Sequence, residues 1–483
     1  MIKEIKKTIK QKGKKETARL AFELVCRKLK SPKIKKQLKP LTKELKAVLD
    51  CNDEIKYELV LEKSKPIAQV LTKNRDIILG NEKFVVEARN LLYKAEKEKK
   101  YRNYIREQYI KVIVPVEYDK RRKDALENKV VFLESGKSPS PSSYLLSKEI
   151  EKQKKYQVVY CGLGVRTIPN IEYYENAVRF IEEAATAKAI FLSTANDILS
   201  QFDLRPETKL IQLWHGVGMF KKCGWSTVDN NNFGRNEDDR NEYNQYRNYY
   251  AVTIAGDEQA WTFKDAMRLE DDKIRPIGIA RTDVFYDEDY IRYGREKLYR
   301  EYPQTVGKKI ILYAPTFRGK VGKATAPDQL DIKTLADALS DEYILIIKHH
   351  GLAKKVPEVP EEYKDKFAFE FSKNKFLSIE KLLSIADICI TDYSSIGFEY
   401  AIMERPMIFF AYDIDDYLDQ RGMYYDYDKI TPGPVVKTTE EIAHYIKHLD
   451  ELYDPNVVKE FKNKYVHACD GHAVERTMAL LEE

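Results

Sequence analysis

The stretch TDYSSIGFEYAIMERPMIFFAYD (residues 391–413) decides the fold. It reads as a strand end, a tight turn, a helix, a break and a second strand. Ile388 to Ile390 form a short apolar run that ends at Thr391 and Asp392. Ser394 and Ser395 stand where a serine oxygen can accept from the unpaired N–H groups of a helix's first turn. Phe398, Ala401 and Ile402 then follow at helical spacing. Arg405-Pro406 stops the helix, because proline has no N–H to continue it, and Met407 to Phe410 is apolar enough for a buried strand. The Asp-Tyr-Ser-Ser turn therefore lies where a strand's C-terminal end meets a helix N-terminus. Open α/β sheets bind ligands there, and free N–H groups favour phosphate. Taken alone, a Ser-Ser turn also fits a capped helix with no ligand.

The same rhythm extends outward. Lys309 to Tyr313 is a strand that ends in Ala-Pro-Thr-Phe-Arg (314–318), and Tyr343 to Ile347 is a strand that ends in Lys348-His349-His350-Gly351. Thr438 to Glu441 has the form of a capping box. Upstream, strands are expected at Val112 to Val116, Lys129 to Leu133, Gln157 to Tyr160, Ala189 to Leu192, Leu210 to Trp214, Val252 to Ile254 and Ile274 to Ile277. A helix is expected through Leu145 to Lys152. Strands alternating with helices predict parallel sheets, and two such runs predict two Rossmann-like domains facing a cleft.

The chain of 483 residues exceeds what one core serves. Its net charge of +6 is uneven, since residues 1–50 hold 17 Lys/Arg against 5 Asp/Glu. Residues 1–110 read as a basic helical region punctuated by Gly13, Pro32 and Pro40, with apolar clusters at Ile2, Ile5 and Ile9 and from Ala18 to Leu29. Such a region either meets an anionic membrane or packs on the body as a solvated helix. Nucleic acid is the weaker reading, because the arm lacks interleaved aromatics. Six scattered cysteines without a CxxC predict a reducing compartment and no structural zinc. No run approaches about 18 apolar residues and no secretory h-region opens the chain, so a cytoplasmic protein is expected.

Three strand ends of the second half carry phosphate-friendly groups: Arg318 with its planar fork, His350, and Asp392 with Ser394 and Ser395. Their convergence predicts a phosphate or pyrophosphate site. Trp214-His215-Gly216 is the matching strand end of the first half, with Lys221 and Lys222 close behind. His215 either faces the cleft or packs as a structural side chain beside Trp214.

These residues resemble the CDP-glycerol glycerophosphotransferase family of teichoic acid and capsule synthesis. The resemblance is carried by LWHGVGMFKKCG (213–224), IGIARTD (277–283), ILYAPTFRG (311–319), IIKHHG (346–351) and the opening stretch. It implies a GT-B-like fold divided into a basic helical region (1–110), an acceptor-side domain (111–305), a nucleotide-donor domain (306–460) and a C-terminal helix (461–483). It implies transfer of glycerol phosphate or ribitol phosphate from a CDP-activated donor to a lipid-linked, undecaprenyl-type acceptor, releasing CMP, on the inner face of the membrane. His215 and His350 fall on its two important histidines; His215, coming from the acceptor-side domain, is taken as the base and His350 as a phosphate binder, with the exchanged roles as the alternative. Arg318, Asp392, Ser394 and Ser395 fall around its nucleotide and pyrophosphate contacts and Glu399 at its acidic position; Thr316 is a further donor-binding candidate, and Lys221, Lys222 and Arg281 are candidate phosphate or acceptor contacts. No metal or other cofactor is called for. Gly218, Ala280 and Gly351 depart from the family's usual prolines. A nucleotide-sugar glycosyltransferase and a non-catalytic membrane scaffold are the rival readings.

Overall fold

A computed structural model describes residues 14–50, 57–74, 82–97, 99–136, 138–164, 170–228, 234–319, 324–373, 376–414 and 422–483, with side chains from residue 30 onward save 99 and 100. Ile2, Ile5, Ile9 and the side chains from Ala18 to Leu29 lie outside the described residues. The chain divides into two compact units. The first comprises residues 1–139, 159–190 and 196–208, and the second 140–158, 191–195 and 209–483.

The first unit is mainly helical. Its helices Lys14–Asp50, Tyr57–Lys73 and Lys83–Ala95 bury Ile34, Leu38, Leu45, Ile67, Leu71 and Leu92 in a shared core. The first helix runs straight through Pro32 and Pro40, where sequence reading expects breaks. Ile34, Leu38 and Leu45 bury their side chains around those prolines, and tertiary packing of this kind overrides local propensity. Val112 to Val116 is likewise not a strand. A π-helical turn, Gln108–Ile113, leads directly into the helix Val114–Arg121. The alternation of valines misleads, because Val112 and Val116 are exposed while Ile110, Val114 and Tyr118 are buried at four-residue spacing. The strands β1 (Glu127–Glu134), β2 (Gln157–Gly162) and β3 (Ala187–Leu192) fall where the sequence expects them and lie in the order β2-β1-β3.

The second unit carries parallel strands throughout. β4 (Lys209–Gln212), β5 (Tyr249–Thr253) and β6 (Ile274–Arg275) pair side by side. A six-stranded sheet follows, made of β7 (Lys309–Tyr313), β8 (Tyr343–Ile347), β9 (Ala368–Glu370), β10 (Ile388–Thr391), β11 (Met407–Phe410) and β12 (Val435–Val436). Its order is β12-β11-β10-β7-β8-β9, and every pairing is parallel. The chain winds outward from β7 to β9, then returns to β10 and winds the other way. β7 and β10 therefore flank the topological switch point, where such sheets open a crevice at their C-terminal ends. Register brings those ends level, since Tyr313 pairs with both Ile347 and Ile390. β9 and β12 were not legible in sequence, being short and without alternation. The capping box forms as expected, with Thr438 accepting from Glu441 N. Residues 461–483 hold the end of one helix, Pro455–Tyr465, and a separate helix, Ala473–Ala479.

Candidate active site

A cavity of about 620 Å³ opens within the second unit at the C-terminal ends of these strands. It is lined from β4 by Trp214, His215 and Lys221, from β7 and β8 by Thr316, His349 and His350, and from the turn after β10 by Ser394 and Ser395. This size suits a nucleotide-scale ligand.

His215 is aimed by an unusual turn. Trp214 adopts a left-handed backbone, φ 54°, which is costly for a bulky residue and persists only when its surroundings fix it. They do so here. The Trp214 N–H donates to the Gln212 side chain at 3.0 Å, and the Gln212 amide donates to the buried Tyr249 hydroxyl at 2.8 Å. The Trp214 and His215 rings lie 4.6 Å apart, so both sequence readings of His215 are realised: it packs beside Trp214 and it lines the cavity. Its Nδ1 sits 3.1 Å from the Ser193 carbonyl oxygen. A carbonyl only accepts, so Nδ1 carries the proton and Nε2 keeps a lone pair. The ring meets solvent through the cavity, yet enough protein surrounds it for burial to lower its pKa below 6.5, with Arg281 adding to the effect.

His350 has the opposite arrangement. In its own turn, the Leu352 N–H donates to Nδ1 at 3.2 Å. Nδ1 is therefore the bare nitrogen and Nε2 carries the proton. Burial lowers this pKa too, and Lys221 contributes. One histidine thus offers a base and the other a donor. His349, quoted in the motif without a role, also lines the cavity. It is 5% exposed, and its Nδ1 has no partner among the described residues. The Thr316 hydroxyl is in the same state.

The serine pair differs from expectation. Ser395 occupies the cap position of the helix Ile396–Ala401 but its side chain caps nothing, while the Ser394 hydroxyl accepts from Ile396 N at 3.3 Å. Both line the cavity. The helix ends at Ala401, before Arg405-Pro406.

Arg318 and Asp392 stand outside the lining. The Arg318 guanidinium makes a two-point contact with Asp413 at 2.6 and 3.0 Å and a third to Asp392 at 2.8 Å. Asp392, 2% exposed, also accepts from Thr316 N at 2.8 Å. These groups tie β7 to β10 across the switch point and fix where Thr316 points. Asp413, which sequence reading gave no role, also accepts from the Tyr393 hydroxyl at 2.9 Å.

Arg281 and Glu399 line the cavity together as an ion pair, with Glu380 on the second arm of Arg281 at 3.2 Å. Burial pushes the Glu399 carboxyl up to about 7 against the pull of Arg281. Lys222 does not line the cavity, and its N–H donates to Gly422 O at 3.2 Å. Of the three departures from the family pattern, Gly218 has a local reason. A Cβ on Gly218 would lie 2.3 Å from the Phe398 ring, which leaves no room for proline. Ala280 opens the 3-10 helix Ala280–Tyr286, a first-turn position that suits proline equally.

Comparison with known proteins agrees with this picture. The family model described as CDP-Glycerol:Poly(glycerophosphate) glycerophosphotransferase matches residues 118–483. Two Bacillus spizizenii proteins are similar. The teichoic acid poly(ribitol-phosphate) polymerase is 37% identical over 61% of this chain and 46% of its own length. The teichoic acid ribitol-phosphate primase is 31% identical over 76% of this chain and 92% of its own length. This chain thus spans about half the length of the polymerase and nearly all of the primase. The wall teichoic acid polymerase TagF shares the fold, with TM-score 0.61 at 21% identity over 80% of this chain and 97% of that one.

Proposed function

The chain belongs to the CDP-glycerol:poly(glycerophosphate) glycerophosphotransferase family, and on that premise we propose that it transfers glycerol phosphate or ribitol phosphate from a CDP-activated donor to an acceptor hydroxyl, releasing CMP. The observation that carries this reading is the pair of oppositely tethered histidines in one cavity. The acceptor hydroxyl is a poor nucleophile and needs a base. The bare Nε2 of His215 takes its proton as the oxygen attacks the phosphorus that bears the polyol. The new P–O bond forms as the bond to CMP breaks, and CMP leaves as an anion. The Nε2–H of His350, the hydroxyls of Thr316, Ser394 and Ser395, and Lys221 meet the pyrophosphate as its charge shifts to the leaving group. Arg318 and Asp392 act on the donor by holding Thr316 in place.

The same reading takes the two parallel sheets as the Rossmann-like domains of a GT-B-like fold facing a cleft. Residues 111–305 form its acceptor side, 306–460 its donor side, and 461–483 its C-terminal segment. The acceptor is lipid-linked, and residues 1–110 hold the enzyme on the anionic inner face of the membrane. Support comes from the exposed Lys33, Lys35, Lys36, Lys39 and Lys43 on one helix. No helix among the described residues is long and apolar enough to cross a membrane.

The test is CMP release from CDP-glycerol and CDP-ribitol with a lipid-linked or soluble acceptor analogue. Release from one of them, abolished in His215→Ala, is expected. Turnover of UDP-sugars instead would make the chain a glycosyltransferase. A folded chain inert with every donor would be a scaffold.

A further inference from the structure

We propose that a second recess of the same unit, about 370 Å³ and lined by Trp225, Trp261, Lys264, Asp265 and Arg268, binds a hydroxyl-rich unit of the acceptor, a sugar or polyol residue, beside the reaction cavity. The proposal rests on the transfer reading above.

The residue types set the ligand class. Trp261 is 47% exposed, unusual for so large an aromatic, and is propped edge-on by Tyr424 at 5.5 Å and Tyr425 at 5.4 Å. An apolar plane held in water suits the C–H face of a polyol or sugar. The Arg268 guanidinium stacks 3.7 Å from the centre of the Trp225 ring, and it has no carboxylate partner among the described residues. Its planar set of N–H donors is oriented and has no hydrogen-bond partner among the described residues. Asp265 supplies acceptors, and Lys264 pairs with Asp271 at 2.8 Å. Arg268 and Lys264 are matched in charge by Asp265 and Asp271. A near-neutral recess with donors, acceptors and an aromatic plane fits hydroxyls better than bare phosphate.

The recess is tied to the reaction cavity by the chain. Cys223 lines the cavity and Trp225 the recess, and two residues span at most about 7 Å. Between them Gly224 has φ +61°, and a Cβ there would lie 2.0 Å from the Ala266 carbonyl oxygen, so the loop is pressed against the helix Ala260–Met267. A second strap runs alongside. Tyr424 N donates to Phe220 O at 3.0 Å, and the Tyr424 hydroxyl meets Ser226 Oγ at 2.6 Å. Ser226 in turn donates to Asp265. A long acceptor could thus lie on Trp261 while its terminal hydroxyl reaches His215.

The full chain is titrated with a β-linked N-acetylhexosamine disaccharide, a glycerol phosphate trimer and inorganic phosphate, read by tryptophan fluorescence. Saturable binding of the disaccharide or the trimer is expected, and whichever binds identifies the source of the hydroxyls. Trp261→Ala and Arg268→Gln should each weaken it about tenfold and raise the acceptor KM alike. The dissociation constant for CDP-glycerol should stay unchanged, and Trp261→Tyr should retain binding. Wild type that binds neither probe overturns the proposal. So do folded variants that bind as wild type does, or inorganic phosphate binding as well as the trimer. Probe binding without CMP release from either CDP-polyol overturns the transfer reading instead.

Discussion

His215 and His350 stand at two strand ends of one unit, line one cavity and have pKa values lowered by the same cause, burial. They differ in one hydrogen bond each. The β4 loop sets the His215 Nδ1 against a carbonyl, and the β8 loop sets the His350 Nδ1 against an N–H. The backbone partner, not the side chain, decides which ring nitrogen is bare and which carries the proton. On the proposed mechanism, loop conformation thereby sets which ring serves as base and which as donor.

Breaking the first side of the comparison has the largest effect. On the proposed mechanism His215→Ala removes the base, and kcat for CMP release should fall by roughly 10²- to 10⁴-fold. His350→Ala removes one donor to the developing charge and should cost about 10²-fold.

Glutamine sharpens the contrast, because its amide places an N–H near the position of Nε2 but is no base. His350→Gln should recover to within about tenfold of wild type, while His215→Gln stays as inactive as His215→Ala. Equal behaviour of the two glutamine variants would sink the assignment.

A further variant probes what holds the β4 loop against the Ser-Ser helix. Gly218→Ala drives a methyl into Phe398 and should cost about 1–3 kcal/mol of stability by denaturant unfolding.

The smallest effect is in the pH profile. On the proposed mechanism the base works only when neutral, and burial holds the His215 pKa below 6.5, so activity is lost as pH falls through that value. The acid limb of kcat/KM should therefore have its midpoint below pH 6.5. His350→Gln should leave that limb in place.

Much of the fold was legible because buried parallel strands are continuous apolar runs bounded by polar turns. β7, β8 and β11 begin and end where the apolar runs do. Reading failed where period or length gave too little. β12 is two residues long, and the valines at 112 to 116 alternate by accident within a helical stretch. Proline at 32 and 40 signalled breaks that packing overrode.

Sequence by itself determined that His215, Thr316, His350, Ser394 and Ser395 stand at strand ends, and parallel topology does the rest by bringing such ends to one edge. Tertiary structure alone decided what each group is bonded to there. Arg318 looks like a phosphate fork in sequence, but its donors face Asp413 and Asp392, which are 95 and 74 residues away along the chain. The partners of the two histidines are likewise set by loop geometry. Hydrogen bonds are short and directional, so a few ångströms of backbone placement change a residue's role while leaving the sequence pattern untouched.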